Sequence, residues 1–403
     1  MIDDILLIVI NILQAIVFAY LAFGTVYIFI FSIAGLFRHH HAPPATITFL
    51  RIAVLIPGYK EDTVIIEAAT GAGKQNYPQE SYDVIVIADS FKPETITALK
   101  NIPVKVVEVS FDVSTKSKAL NKAMESLPDQ YYDVALVLDA DNLMDRDFLS
   151  QINAAFNAGY FAVQGHRVAK NTNTSFAILD AASEEINNHI FRKGHRILGL
   201  SSSLIGSGMA FEYAYFKELM KGIKAIGGFD KEIELTMLKA GKKIEYLEKA
   251  YIYDEKVQVT GVFIKQRRRW LSAQLHYSRY FFESLRHLLV KGNLDFFDKA
   301  VQMLLPPRIV LLGILPFFLL LSLLFNPITI TFAWLILWLV CMIAILAAVP
   351  GNLYNKRTLQ AILDLPKGFL LMLFSLFSTK GANKRFIHTE HSATTNGPQN
   401  PKK

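Results

Sequence analysis

Val134-Ala135-Leu136-Val137-Leu138-Asp139-Ala140-Asp141 is the stretch on which the reading of this chain turns. Five aliphatic residues with no polar alternation read as a strand buried on both faces of a sheet. The run then stops in two carboxylates two residues apart. On extended backbone such residues project to the same side. Asp139 and Asp141 can therefore present oxygen ligands to one hard cation, which also accepts substrate phosphates. By itself an Asp-x-Asp pair is weak, since most are solvated loop residues. Its weight here comes from what surrounds it.

Upstream, short β-branched runs at Ile52–Ile56, Val84–Ala88 and Val104–Val109 alternate with helical patterns at about 62–72, 93–100 and 117–127. Another helical pattern follows the quoted strand at about 145–157. The alternation predicts an α/β fold of βαβ units, with a parallel sheet covered on both faces. Ligands of such sheets bind beyond the carboxyl ends of the strands. Those ends carry Pro57-Gly58-Tyr59-Lys60-Glu61, Asp89 and the Asp139/Asp141 pair. No G-x-G-x-x-G follows the first strand and no G-x-x-x-x-G-K-[ST] occurs, which counts against a dinucleotide dehydrogenase and a P-loop NTPase.

Hydrophobic residues make up 52% of the 403 and charged residues 19%, with a mean hydropathy of +0.29. A soluble domain carries roughly a quarter charged residues, and the apolar excess is concentrated in two places. From Ile5 to Phe37, 33 residues, there is no charge; one membrane span fits that run, and two with a turn do not. Asp3 and Asp4 precede it, unlike the basic start of a signal peptide. The 47 residues from Ile309 to Asn355 are also uncharged, enough for two spans turning at Asn326-Pro327. Arg308 and Lys356 bracket that pair and Arg38 follows the first span. The expectation is a multi-pass protein of the cell (inner) membrane with residues 38–308 in the cytoplasm. Gly368–Phe377 is too short to span and reads as an interfacial or re-entrant helix, leaving a basic tail with Lys380, Lys384 and Arg385 on the cytoplasmic side.

The net charge of +7 fits juxtamembrane cations beside anionic lipid. Nucleic acid would require a clustered basic face with interleaved aromatics, so no nucleic-acid partner is expected. The single cysteine, Cys341, excludes an internal disulfide and a Cys-rich metal site. His39-His40-His41 reads as a solvated junction rather than a metal site. A transporter is disfavoured because the spans lack charges and repeats.

Taken in order, these residues resemble the membrane-bound family 2 glycosyltransferases, the group that includes cellulose, chitin and hyaluronan synthases, over about residues 50 to 290. Pro57-Gly58-Tyr59-Lys60-Glu61 is similar to the group's P-x-Y-N-E opening, implying donor contacts from Pro57, Tyr59 and Glu61. Asp89 matches the aspartate that closes the second strand, at the nucleotide. Lys118-Ala119-Leu120-Asn121 resembles the K-A-x-x-L-N region, with Lys118 beside a phosphate. Asp139 and Asp141 match the group's D-x-D, which implies Mg²⁺ or Mn²⁺ and the donor diphosphate. Gly206-Ser207 resembles the segment near the acceptor sugar. Asp230 aligns with the aspartate of the E-D motif, the implied general base; Phe229 stands where glutamate is usual, and Glu232 and Glu234 are the fallback bases. Gln266-Arg267-Arg268-Arg269-Trp270 resembles the Q-x-x-R-W motif of processive members, implying that Gln266, Arg269 and Trp270 serve the diphosphate and acceptor. Arginine forks suit phosphate oxygens. Phe263, Leu271, Leu275, Phe282, Leu285 and Leu289 also give this region an apolar side suited to lipid headgroups. Phe386-Ile387-His388-Thr389 is similar to a short gating-loop motif of cellulose synthases.

The resemblance implies a GT-A (Rossmann-like) cytoplasmic domain over 50–258, inserted between membrane helices. Residues 1–37 form an N-terminal span, 259–300 interfacial amphipathic helices, 301–350 two spans, and 351–403 the re-entrant helix and tail. It further implies inverting, metal-dependent, processive transfer from a UDP-sugar to a growing glycan, giving a β-linked product. Two plus one helices make a thin exit path, so a homo-oligomer or secretion partner would complete it. Two alternatives stay open: transfer of one sugar to a lipid or glycan acceptor, and a silent nucleotide-sugar-binding scaffold, which only Phe229 favours.

Overall fold

The computed structural model describes residues 2–38, 48–256, 260–366, 369–371 and 373. The readings of His39–His41, of the tail from Lys380 and of Phe386–Thr389 lie outside the described residues, as does most of 368–377. The chain runs α1 (Ile2–Ala34), β1 (Ile52–Tyr59), α2 (Ile65–Ala72), β2 (Tyr82–Asp89), α3 (Pro93–Lys100), β3 (Lys105–Val109), α4 (Lys116–Ser126) and β4 (Val134–Val137). It continues through β5 (Leu143–Met144), α5 (Phe148–Asn157), β6 (Ala162–Ala169), α6 (Ser175–Asn187), a π-helical stretch (Asn188–Gly194), α7 (His195–Ile197) and β7 (Met209–Glu212). After α8 (Tyr213–Gly222), α9 (Phe229–Lys239) and β8 (Glu245–Asp254) come α10 (Thr260–Tyr277), α11 (Phe281–Lys291), α12 (Leu294–Gln302), α13 (Arg308–Phe325), α14 (Ile328–Ala348) and α15 (Lys356–Ile362).

The eight strands form one sheet in the order β3-β2-β1-β4-β7-β6-β8-β5. Side-chain alternation along the central strands builds two cores from one sequence run. Ile52, Val54, Ile56, Val134 and Leu136 face α2, α3 and α5, while Ala53, Leu55, Ala135 and Val137 face α4, α8, α9 and α12. Period-two geometry makes that division, and burial on both sides is why the strands read as unbroken aliphatic runs. The sheet is mixed, not wholly parallel: β7 runs antiparallel to β4 and β6, and β5 antiparallel to β8. Strand order leaves β1 toward β2 on one side and toward β4 on the other. This reversal opens a crevice at the carboxyl ends of β1 and β4, where Tyr59 and Asp139 emerge.

α1, α13 and α14 are long and apolar enough to cross a membrane. At 1.5 Å per residue α1 extends about 50 Å, more than a hydrocarbon core of about 30 Å, and Ile5 to Ile16 are largely exposed. Its carboxyl half packs on α14, with Leu21, Ile28, Phe31, Trp334 and Ala344 in one apolar cluster. It also docks on the soluble body at the π-helical stretch. A Cβ built on Gly194 would lie 2.1 Å from Phe31 O, so only glycine permits that approach. Over 259–300 the helices are not uniformly interfacial. α11 exposes Phe282, Leu289 and Val290, whereas α12 buries Phe296, Asp298, Lys299 and Gln302.

β6 is fastened to the end of α6 by His166, whose Nε2 lies 3.0 Å from Glu185 Oε2 and whose Nδ1 lies 2.9 Å from Glu248 O. Burial lowers this imidazole's pKa, but Glu185 and the Glu248 carbonyl outweigh it, and the net shift is upward. A raised folded-state value stabilises the fold below the unfolded pKa, and this contribution is lost as pH rises through the folded one. The stability difference between wild type and His166→Gln is therefore expected to be larger at pH 6 than at pH 9 in denaturant titrations. A difference that grows with pH contradicts this.

Candidate active site

A cavity of about 1370 Å³ opens at the strand-order reversal. Pro57, Tyr59, Glu61, Asp89, Asp139, Asp141, Gly206, Asp230, Gln266, Arg269 and Trp270 all line it. These residues come from the ends of β1, β2 and β4, the loop before β7, and the starts or middles of α9 and α10. Ser207 and Lys118 are not in its wall.

The strand ends are held in an unusual conformation. Lys60 and Ser90 have φ of 55° and 58°, a left-handed setting that costs a non-glycine residue roughly 1 kcal/mol or more. The turns are fixed by Lys60 N donating to Asp89 O (3.1 Å), Ser90 N to Val109 O (3.3 Å) and Ser90 Oγ to Asp89 Oδ1 (2.9 Å). Asp89 is thereby buried with its carboxylate oriented.

The carboxylate pair sits on a braced turn. Asp139 N donates to Ser207 Oγ (2.9 Å), Ser207 Oγ to Asn142 Oδ1 (2.6 Å), and Asn142 Nδ2 to Asp141 Oδ1 (3.1 Å) and Asp254 Oδ1 (3.0 Å). Ser207 thus supports Asp139 from behind rather than facing the cavity. Lys116 forms an ion pair with Asp139 and donates to Gly206 O (2.6 Å). Two carboxylates with hard oxygen donors fit a divalent cation whose remaining positions go to water and substrate phosphate. No group of three or more His, Cys, Asp or Glu side chains suited to a metal occurs among the described residues.

Behind Asp139 and Asp141 lies a buried charge layer. Arg167 pairs with Glu184 (2.8 Å), Arg192 with Glu184 (3.3 Å) and Lys256 with Asp254 (2.7 Å). Burial alone would raise the Glu184 carboxyl, but Arg167, Lys256 and Arg192 hold it well below the usual range. The layer keeps the floor under the pair rigid and electrically compensated.

Lys116 rather than Lys118 reaches the site because of a helix cap. Thr115 accepts from Lys118 N (3.2 Å), which starts α4 at Lys116 and turns the next-but-one residue to a different face. Lys118 is exposed, donates to Val113 O (2.8 Å) and lies over the Phe111 ring. Lys116→Ala is expected to weaken donor binding or turnover roughly 10- to 100-fold, the value of a charged hydrogen bond. Lys118→Ala should stay within about twofold. Steady-state kinetics of the two variants decides, and a larger loss for Lys118→Ala reverses the assignment.

Asp230 lies in the first turn of α9, after Gly228, whose φ of +70° lets the chain enter the helix. A Cβ built on Gly228 would lie 2.9 Å from both Ala273 Cβ and Tyr277 Cε2 of α10, so this glycine also sets the distance between the helices bearing Asp230 and Arg269. Burial lowers the Arg269 guanidinium's pKa, and the charges of Asp139 and Asp230 partly offset it. Arg269 lines the same cavity as both carboxylates, within range of their charges. Arg267 pairs with Asp180 and lies 4.4 Å from the Trp270 ring centre.

Lys231 Nζ is 3.7 Å from Asp230 Oδ2 and 3.3 Å from Glu234 Oε2. Glu234 Oε1 is 2.5 Å from Lys299 Nζ, which also donates to Ser203 Oγ (2.6 Å) and Gln302 Oε1 (2.8 Å). Gln302 Nε2 donates to Asp298 Oδ2 (2.8 Å), and Tyr27 of α1 donates to Asp298 Oδ1 (2.6 Å). Hydrogen bonds and ion pairs thus connect α1 to Asp230, the last link being the 3.7 Å ion pair from Lys231. Complete burial, despite Glu234, brings Lys299 down to about 8. Glu234 is 1% exposed and paired twice, so it is not placed to act as a fallback base. Glu232 does not line the cavity, and its carboxylate accepts from Lys224 N at 3.5 Å. Lys116, Lys231 and Lys299 carried no signal in the sequence reading beyond being lysines, since only the packing of α4, α9 and α12 brings them in.

Residues 50–273 match the family model described as "Glycosyltransferase like family 2", more than half of the chain. No curated protein matches. Among solved structures, the mannosyltransferase PcManGT from Pyrobaculum calidifontis, in complex with GDP-Man and Mn²⁺, is similar with a TM-score of 0.52 at 16% identity. The match covers 91% of this chain and 98% of that chain. Glucosyl-3-phosphoglycerate synthase from Mycobacterium tuberculosis, with Mn²⁺, UDP and phosphoglyceric acid, gives 0.38 at 14%, covering 55% and 76%. S. aureus TarS 1-349 with UDP-GlcNAc gives 0.39 at 14%, covering 82% and 91%. The likeness to the first is one of fold.

Proposed function

The chain belongs to the glycosyltransferase-like family 2, and from that premise we propose that it transfers a sugar, with inversion, from a nucleoside diphosphate donor to an acceptor hydroxyl at the membrane. The observation that carries this is the convergence of Asp139, Asp141, Asp230 and Arg269 on one cavity at the strand-order reversal. The motif reading makes the donor a UDP-sugar, while the mannosyltransferase of similar fold holds GDP-Man, so both nucleotides belong in the assay.

Asp139 and Asp141 would hold Mg²⁺ or Mn²⁺, which when bound supplies positive charge to the leaving diphosphate. Asp89 and Tyr59 are placed for the nucleoside. Lys116, released from Asp139 as the donor binds, and Arg269 stabilise charge on the departing phosphate oxygens. Asp230 accepts the proton of the acceptor hydroxyl as its oxygen bonds to the anomeric carbon. Direct attack of the acceptor oxygen on the anomeric carbon, with Asp230 as base, is a single displacement and gives inversion, unlike the double displacement of a retaining enzyme. With α1, α13 and α14 in the bilayer, the catalytic body faces the cytoplasm, where Arg38, Arg308 and Lys356 mark the inner boundary.

The likeness of Gln266–Trp270 to processive enzymes favours extension of a polysaccharide. Single-sugar transfer to a lipid-borne acceptor is the second reading, favoured by the apolar continuation of the cavity between α13, α14 and α15. The test is the anomeric configuration and size of the product made from an α-linked donor, by NMR and chromatography. A β-linkage is expected, and an α-linkage overturns the mechanism. A long ladder of products supports extension, and a single added sugar supports the second reading.

A further inference from the structure

The cavity does not end at Trp270. It continues between α6, α13, α14 and α15, where Leu312, Met342, Ile345, Leu346, Leu359 and Ile362 give it an apolar wall. Since α13 and α14 are membrane-length helices and this branch lies where one begins and the other ends, it sits at the depth of lipid headgroups.

Arg308, the first residue of α13, stands where the apolar branch joins the polar site. Its Nη2 donates to Ser183 O (3.0 Å), Ser183 Oγ (3.3 Å) and Asn187 Oδ1 (2.8 Å), all neutral acceptors. Its Nη1 is buried with no hydrogen-bond partner among the described residues. The nearby arginines are neutralised, Arg267 by Asp180 and Arg192 by Glu184, but no carboxylate forms an ion pair with Arg308 among the described residues. Arg308 as a whole is half-buried and lines the cavity, and a guanidinium so placed with no carboxylate partner among the described residues can take an anion there. Its planar fork matches phosphate oxygens, and basic pockets between membrane helices are where anionic headgroups bind.

We propose that the acceptor is a lipid whose headgroup carries a phosphate, seated on Arg308 with its hydrocarbon chain in the apolar branch and its acceptor hydroxyl directed to Asp230. This rests on the glycosyltransferase reading and names its acceptor class. The acceptor oxygen bonds to the anomeric carbon, the bond from that carbon to the diphosphate oxygen breaks, the nucleoside diphosphate leaves with the electron pair, and the hydroxyl proton passes to Asp230. Such an acceptor serves either extension of a lipid-borne glycan or a single addition.

The test measures equilibrium binding of monododecyl phosphate to the full-length protein in neutral-detergent micelles, against dodecanol and inorganic phosphate. Nucleotide-sugar binding is titrated on the same preparations. Monododecyl phosphate should bind at least about tenfold more tightly than either control, because it alone uses both halves of the site. Arg308→Gln should weaken it about tenfold and Arg308→Lys less. Leu346→Trp, which fills the branch, should weaken monododecyl phosphate without changing inorganic phosphate. Equal binding of monododecyl phosphate and dodecanol, equal binding of inorganic phosphate, or unchanged affinity in both Arg308→Gln and Leu346→Trp overturns the proposal. Donor binding without alkyl phosphate binding overturns the lipid acceptor alone. Alkyl phosphate binding with no nucleotide sugar bound overturns the transferase reading and the acceptor role together.

Discussion

Asp230→Asn is expected to leave donor binding intact and to lower the rate of transfer about 10²- to 10⁴-fold, the span contributed by a positioned general base. The substitution keeps the shape of the side chain and removes its proton affinity. Neither fallback carboxylate is placed to take over. Glu234 is committed to Lys231 and Lys299 in the interior, and Glu232 lies off the cavity wall. Donor titration and initial rates on the same protein separate the two roles. A variant that keeps more than a tenth of wild-type turnover moves the base elsewhere, and one that loses donor binding makes Asp230 a donor ligand.

Glu234→Gln is expected to cost stability on a scale that few single substitutions reach. Glu234 is the counter-charge of two buried lysines, at 2.5 Å from Lys299 and 3.3 Å from Lys231. Removing one partner of a buried ion pair leaves an uncompensated charge, typically about 3–5 kcal/mol, which corresponds to a fall in Tm on the order of 10 °C for a domain of this size. The loss carries its own pH signature. Burial already holds Lys299 at about 8, and without Glu234 its pKa falls further, so at pH 9 the lysine is neutral and the penalty shrinks. Thermal unfolding of both proteins at pH 6.5 and pH 9 is the check. A loss below 1 kcal/mol, or one that does not shrink with pH, removes Glu234 from the support of Asp230. The same chain passes through Gln302 and Asp298 to Tyr27, so α1 is tied to the catalytic body by polar contacts as well as apolar ones.

What was legible in the sequence follows from burial. β1, β2 and β4 are covered on both faces, so their composition announces them, and residues just beyond them fall at the crevice by geometry alone. That is why Pro57–Glu61, Asp89 and Asp139–Asp141 could be found without coordinates. β5 and β7, at two and four residues, are too short to show a period, so the reversed strands and the mixed sheet were not visible. That Lys116 and not Lys118 lines the cavity was not legible, because helix phase is set by a cap, Thr115, rather than by the lysines themselves. Arg308 stood out only as a charge flanking a span; its unanswered Nη1 depends on how α6 and α13 pack. The Glu234–Lys299 pair joins α9 to α12, a tertiary contact with no local signature.

The claim that the Asp139/Asp141/Asp230 cavity is a metal-assisted transfer site is most directly tested by nucleoside diphosphate release from a panel of UDP- and GDP-sugars. The assay uses the detergent-purified protein, with Mn²⁺ or Mg²⁺ and then with EDTA. Turnover of one donor is expected, lost on chelation, restored by adding the ion back, and absent in Asp141→Asn. Turnover that survives EDTA and Asp141→Asn contradicts it.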